Sequence, residues 1–206
     1  MRDLTGAASR LPEPVWRVEL TLDGAEATQA WAAEVAAVLQ AGDVLILTGE
    51  LGAGKTTFTQ GLGAGLGVRE GIISPTFVLS RIHPSVVEGA DLVHVDAYRL
   101  GSAGELLDLD LDATVDHSVT VVEWGRGLAE SLAGFPDDPD ASWLDVELVR
   151  AVGGGPPGEA GVRADAEAGT IITDFSDEDG TGSDEVRAAV VQAYGPRWAG
   201  VSLPGT

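Results

Sequence analysis

Eight consecutive residues, Gly49-Glu50-Leu51-Gly52-Ala53-Gly54-Lys55-Thr56, carry the spacing G-x-x-x-x-G-K-[ST] at every fixed position. Each residue type answers a chemical need. Glycines let the backbone fold into a nest of N–H groups around a phosphate. Lys55 brings a point charge to the β- and γ-phosphates, and the Thr56 hydroxyl can ligate Mg²⁺. The helix expected after it turns its positive end toward the same anion. Lys55 is also the single lysine among 12 basic residues, the rest being arginine. A chain that uses Arg elsewhere and keeps Lys in the phosphate loop favours a site over an incidental turn.

Such a loop needs a carboxylate at the end of a neighbouring strand to hold the metal or its water. Two apolar runs end that way: Leu92-Val93-His94-Val95-Asp96 and Val119-Thr120-Val121-Val122-Glu123. Strand C-termini are where open α/β sheets place their ligands. Either acid could be the metal carboxylate, and the other could then order the attacking water. Ser74-Pro75-Thr76-Phe77 places Thr76 where a switch residue would sit, or a proline turn opening a strand. Trp124 either stacks on a base or fills core, the commoner fate. His83 and His94 lack ligand-spaced partners and read as core or hydrogen-bonded histidines.

The elements that must position these residues follow from pattern. Val15–Leu22 reads as a first strand. Asp23 with Glu26 signals a helix start, and Trp31, Val35, Val38 and Leu39 share one helix face. Val44–Thr48 is a strand buried on both sides, and Phe58, Leu62 and Leu66 mark the helix after the loop. Further strands are expected at Thr76–Ile82, Leu92–Asp96, Val119–Glu123 and Trp143–Val149, with helical pieces at Ala103–Leu109 and Arg126–Ala133. Strands interleaved with helices predict an α/β, P-loop NTPase-like three-layer fold around a central, mostly parallel sheet.

Residues 1–14 read as a loose arm and 15–150 as the nucleotide-binding domain. Residues 151–206 read as a Gly/Pro-rich linker with an acidic extension. Within it Thr170–Phe175 could be a strand, 176–185 an acidic loop and Glu185–Tyr194 a short amphipathic helix.

Composition narrows the rest. The 206 residues include 28 Gly, 10 Pro and no Cys. Disulfides, thiolate metal sites and a Cys nucleophile are therefore excluded. The net charge of −21 opposes autonomous binding of nucleic acid or an anionic membrane. No apolar run approaches the ~20 residues a spanning helix requires. The start lacks an apolar signal core, so the expected compartment is the cytoplasm.

The series GELGAGKTTF (49–58), SPTF (74–77), HVDAYRL (94–100) and VEW (122–124) resembles the bacterial TsaE family, also called YjeE. GELLDLDL (104–111) also resembles the Glu-Leu-rich segment of that family. The likeness runs from about residue 15 to 150. It implies a cytoplasmic ATPase that uses ATP and Mg²⁺ and acts on the TsaB–TsaD heterodimer. That complex transfers a threonylcarbamoyl group to adenosine 37 of tRNA. Contact with tRNA would be only indirect, and the ATP cycle would reset the complex between turnovers.

Carried onto this chain, the resemblance gives residues 49–54 with Lys55, Thr56 and Thr57 to the nucleotide. Thr76 would be the switch-like Thr, and Asp96 would be needed for hydrolysis. Glu123 would be a metal ligand, with Trp124 beside the nucleotide. Where some relatives carry Pro after the Trp, or an acid two residues after it, this chain has Gly125 and Arg126, and Arg126 could instead meet a phosphate or partner.

Other readings weigh less. A stand-alone P-loop kinase for a small metabolite would need a basic lid, and 127–150 holds only Arg150. A GTPase with an Asn-Lys-x-Asp loop would need a second Lys. A nucleotide-gated scaffold without useful turnover has the same sequence signature.

Overall fold

A computed structural model describes residues 11–150 and 185–205 of the chain. The strands are β1 (Trp16–Asp23), β2 (Val44–Thr48), β3 (Ser80–His83), β4 (Asp91–Asp96), β5 (Ser118–Glu123), β6 (Trp143–Arg150) and β7 (Val186–Tyr194). The α-helices are α1 (Gly24–Ala36), α2 (Lys55–Leu66), α3 (Ala103–Leu107) and α4 (Asp112–Val115). Two 3-10 turns, Ala129–Ala133 and Pro196–Trp198, complete the order.

The seven strands form one sheet in the order β1-β7-β6-β2-β5-β4-β3. The four central strands, β6-β2-β5-β4, run parallel, and antiparallel pairings flank them on both sides. Every residue of β5 is buried, as are Val44–Leu47 of β2. Continuous apolar runs are what strands covered on both faces require.

Alternation along the strands divides the core in two. Leu45 and Leu47 join Leu92, Val119 and Val121 beneath α1 and α2. Val44 and Ile46 face the other way, with Val93, Val95, Val122 and Trp143, against Leu106, Leu111 and Ala129. The result is the three-layer α/β arrangement read from the sequence. Helices α1 and α2 pack at backbone distance. A Cβ at Gly61 would collide with the Gln29 carbonyl, and one at Gly65 would lie 2.6 Å from the Ala36 methyl group. These two helix glycines, one turn apart, bring α2 close enough for Trp31 to pack on Phe58 at 5.5 Å.

Two expectations are corrected. Glu185–Tyr194 is not a helix: Val186–Tyr194 is β7, inserted between β1 and β6. Its inward residues Arg187, Ala189, Val191 and Ala193 alternate with more exposed ones, a period of two. The short alanines between valines mask this alternation and also suit a helix. The strand expected over Thr76–Ile82 begins only at Ser80, because residues 76–79 form a turn and Leu79 adopts φ 67°. Thr170–Phe175 and residues 1–10 lie outside the described residues, as does the 176–185 loop apart from Glu185.

Candidate functional site

The chain leaves β2 at Thr48 and enters α2 at Lys55, so residues 49–54 form the loop between strand and helix. Gly54 precedes the first helical turn at φ 103°, a conformation that L side chains resist. A Cβ at Gly49 would collide with the Leu148 carbonyl of β6, so glycine also fixes how close the loop lies to the sheet. Ala53 is fully buried, whereas Leu51 stands out at the loop tip.

Lys55 is buried. Its Nζ donates to the carbonyls of Gly49 and Glu50 at 2.9 and 3.0 Å. It also lies 3.7 Å from the centroid of the Trp124 ring. Burial pushes its pKa below the ordinary lysine value, while Glu123 and Asp96 pull it back up. The loop's one lysine is folded inward over its own nest.

The two strand-end acids are neighbours. In the parallel β4–β5 pairing Asp96 stands directly beside Glu123. Both are buried. Glu123 Oε1 accepts a 3.0 Å hydrogen bond from Thr56 Oγ1 and lies 2.9 Å from His94 Nε2. Asp96 Oδ2 accepts from Ser74 Oγ and Thr76 Oγ1 at 2.8 and 2.7 Å, and its Oδ1 accepts from the Tyr98 backbone N–H at 3.0 Å. Glu123 therefore faces the phosphate loop, and Asp96 holds the Ser74–Thr76 turn.

No group of three or more His, Asp or Glu among the described residues is placed to enclose a metal by itself. A Thr hydroxyl beside one carboxylate is instead a donor set suited to Mg²⁺. That ion keeps several waters and takes its other ligands from substrate phosphates. The glycine nest and the Thr56–Glu123 pair thus fit a nucleotide–Mg²⁺ complex.

Trp124 is not core. It is partly exposed, adopts φ 62°, and packs 5.2 Å from Tyr98 as well as over Lys55. A bulky residue in the left-handed region is strained, and such strain collects at functional sites. Its backbone N–H still bonds the Leu47 carbonyl at 2.8 Å, which holds the turn after β5 against the end of β2. Thr57 follows Thr56 in the first turn of α2 and is half-buried.

Arg126 meets the protein's own acids. Its Nε and Nη2 donate to Asp145 at 2.8 Å each, and Nη2 reaches Glu147 at 3.1 Å. Asp145 holds this guanidinium above its ordinary pKa.

Three site residues escaped the sequence reading. His94 is expected from sequence as a core or hydrogen-bonded histidine, with no partner assigned, and its partner is Glu123. Arg150 donates twice to the Gly52 carbonyl, at 3.0 and 2.9 Å. Arg187, directly opposite Arg150 in the β6–β7 pairing, is buried against Gly54. The strand alternation of 186–194 is the signal that would have brought Arg187 to the loop.

No helix among the described residues is long and apolar enough to cross a membrane. Compared with known families, residues 22–150 match the family model described as "Threonylcarbamoyl adenosine biosynthesis protein TsaE". Curated relatives carry the name "tRNA threonylcarbamoyladenosine biosynthesis protein TsaE". One, from Streptomyces coelicolor, is 45% identical over 166 residues, covering 80% of this chain and 89% of the relative. Another, from Mycobacterium tuberculosis, is 46% identical over 137 residues, covering 63% of this chain and 77% of the relative. Among solved structures, Bacillus subtilis YdiB superimposes with a TM-score of 0.55 at 28% identity, covering 89% of each chain.

Proposed function

The chain belongs to the TsaE family, and from that premise we propose that it is the Mg²⁺-dependent ATPase subunit supporting threonylcarbamoyl modification of adenosine 37 in tRNA through the TsaB–TsaD heterodimer. The observation that carries this reading is the 3.0 Å bond from Thr56 Oγ1 to Glu123 Oε1. It joins the phosphate-loop hydroxyl to a strand-end carboxylate, the pairing that ATP hydrolysis on such a loop requires.

Each residue has a task. The backbone N–H groups of residues 49–54 and the α2 N-terminus hold the β-phosphate. Lys55 turns from the Gly49 and Glu50 carbonyls to the β- and γ-oxygens and balances charge as the terminal phosphoryl leaves. Thr56 and Glu123 would hold Mg²⁺, which would supply positive charge against the charge developing on the phosphates. Asp96 orients the attacking water, and its bonds to Ser74 and Thr76 couple the 74–76 turn to the γ-phosphate position. Trp124 screens the nest from solvent on the Lys55 side.

The net charge of −21 fits a subunit that leaves tRNA to its partners and works with them in the cytoplasm. The test is reconstitution of the modification with the TsaB–TsaD pair, tRNA and the threonylcarbamoyl donor. This chain with ATP is expected to convert a single round of transfer into many. Multiple rounds without it, or with it but without ATP, would contradict the proposal.

A further inference from the structure

His94 is fully buried in β4, two residues before Asp96 on the same side of the strand, beneath the two acids. Its Nε2 lies 2.9 Å from Glu123 Oε1. A carboxylate that is ionised can only accept, so Nε2 carries the hydrogen and donates it. Thr56 Oγ1 donates to the same oxygen. Oε1 is therefore held from two sides, while Oε2 accepts from no described residue. The other ring nitrogen, Nδ1, is buried without a hydrogen-bond partner among the described residues. The nearest ring is His83, itself buried, with centroids 6.2 Å apart.

We propose that His94 is a positioning residue for the metal site: an imidazole whose Nε2–H fixes the Glu123 carboxylate by one oxygen and leaves the other for Mg²⁺ or its water. The inference rests on reading Thr56 and Glu123 as the residues that hold the metal. A buried carboxylate on a three-torsion side chain has several rotamers, and a metal must otherwise select one. A rigid ring anchored in the sheet removes that choice in advance. Donors that orient a ligating carboxylate are worth about 10- to 100-fold in metal affinity.

The experiment compares His94→Phe, which keeps a ring without a donor, with His94→Gln, whose amide N–H reaches toward the same point. Mg²⁺ is titrated into the full chain with ATP bound, by calorimetry, and nucleotide affinity is measured separately with chelator present. The expected result is a Mg²⁺ midpoint raised about 10- to 100-fold in His94→Phe, with Mg²⁺-free nucleotide affinity unchanged and most of the shift reversed in His94→Gln. If His94→Phe does not fold, His94→Met, of Gln's length but without a donor, supplies the contrast.

An unchanged midpoint in the donor-less variants overturns the proposal. So does a loss shared equally by Gln and the donor-less variant together with weaker Mg²⁺-free binding, which is the mark of a packing role. Wild-type protein that binds nucleotide without any Mg²⁺ dependence would instead overturn the functional reading, and this inference with it.

Discussion

The ammonium of Lys55 and the indole of Trp124 form a closed pair, Nζ lying 3.7 Å from the ring centroid. Two loop carbonyls complete the enclosure. The chain's one lysine is thus held by a residue three strands further along the sequence, directly after β5. Desolvation is the cost of that position, and it lowers the lysine pKa.

That shift has a sign that nucleotide binding reverses. Phosphates stabilise the charged amine, so they raise the Lys55 pKa again. Between the depressed value of the free protein and the ordinary 10.5, binding should take up a proton. Affinity for ATP should therefore fall as pH rises through this alkaline window. Calorimetry in buffers of different ionisation enthalpy reads the proton directly. Binding that releases protons there, or is indifferent to pH, would contradict the charge assignment.

Glu123→Gln and Asp96→Asn should separate binding from chemistry. Glu123→Gln weakens the metal's hold, and Mg²⁺ dependence should shift by about 10-fold or more. Asp96→Asn removes a group that orients water, and turnover should fall on the order of 10²- to 10⁴-fold with nucleotide binding retained. Two variants that hydrolyse ATP like wild type would show that these acids only tie loops to the sheet.

Truncation after Arg150 should abolish folding, although it leaves the whole family match intact. It removes β7 from between β1 and β6, and with it buried Val191, Tyr194, Trp198 and Leu203. Each large apolar side chain stabilises by about 1.5–3 kcal/mol, against a total of about 5–15 kcal/mol for a domain. Circular dichroism should show no cooperative melt. A cooperative transition near that of the full chain would mean that β1 re-pairs with β6.

Arg126→Ala should lower stability without touching the nucleotide. Asp145 is buried and receives two hydrogen bonds from that guanidinium. Removing the donor leaves a buried acceptor unpaired, at a cost of about 1–3 kcal/mol. Chemical denaturation should show this loss with Mg²⁺-ATP affinity unchanged. Weakened nucleotide binding at unchanged stability would place Arg126 at a phosphate instead.

The phosphate loop, the buried strands beside it and both acids were legible in sequence because their signals are local. A glycine-lysine spacing and an apolar run ending in a carboxylate need no knowledge of distant contacts. What the sequence left open was pairing. Nothing local says that Glu123 turns toward Thr56 while Asp96 turns toward Thr76, since that depends on the β4–β5 register. His94 was readable as a core or hydrogen-bonded histidine, but its partner lies across that same register. Arg126 follows the tryptophan like a site residue, yet Asp145 and Glu147 on β6 capture it. β7 was misread because the doublets Ala188-Ala189 and Val190-Val191 suit either period, and only its place between two strands decides.

The most direct measurement is Mg²⁺-dependent ATP hydrolysis by the purified chain, alone and with the TsaB–TsaD pair, with Lys55→Ala as the blank. Turnover stimulated by the pair and reduced to background in Lys55→Ala is the expected result. Turnover indifferent to the pair would contradict the assignment and favour an independent phosphotransfer enzyme, and wild-type-like turnover in Lys55→Ala would remove the site itself.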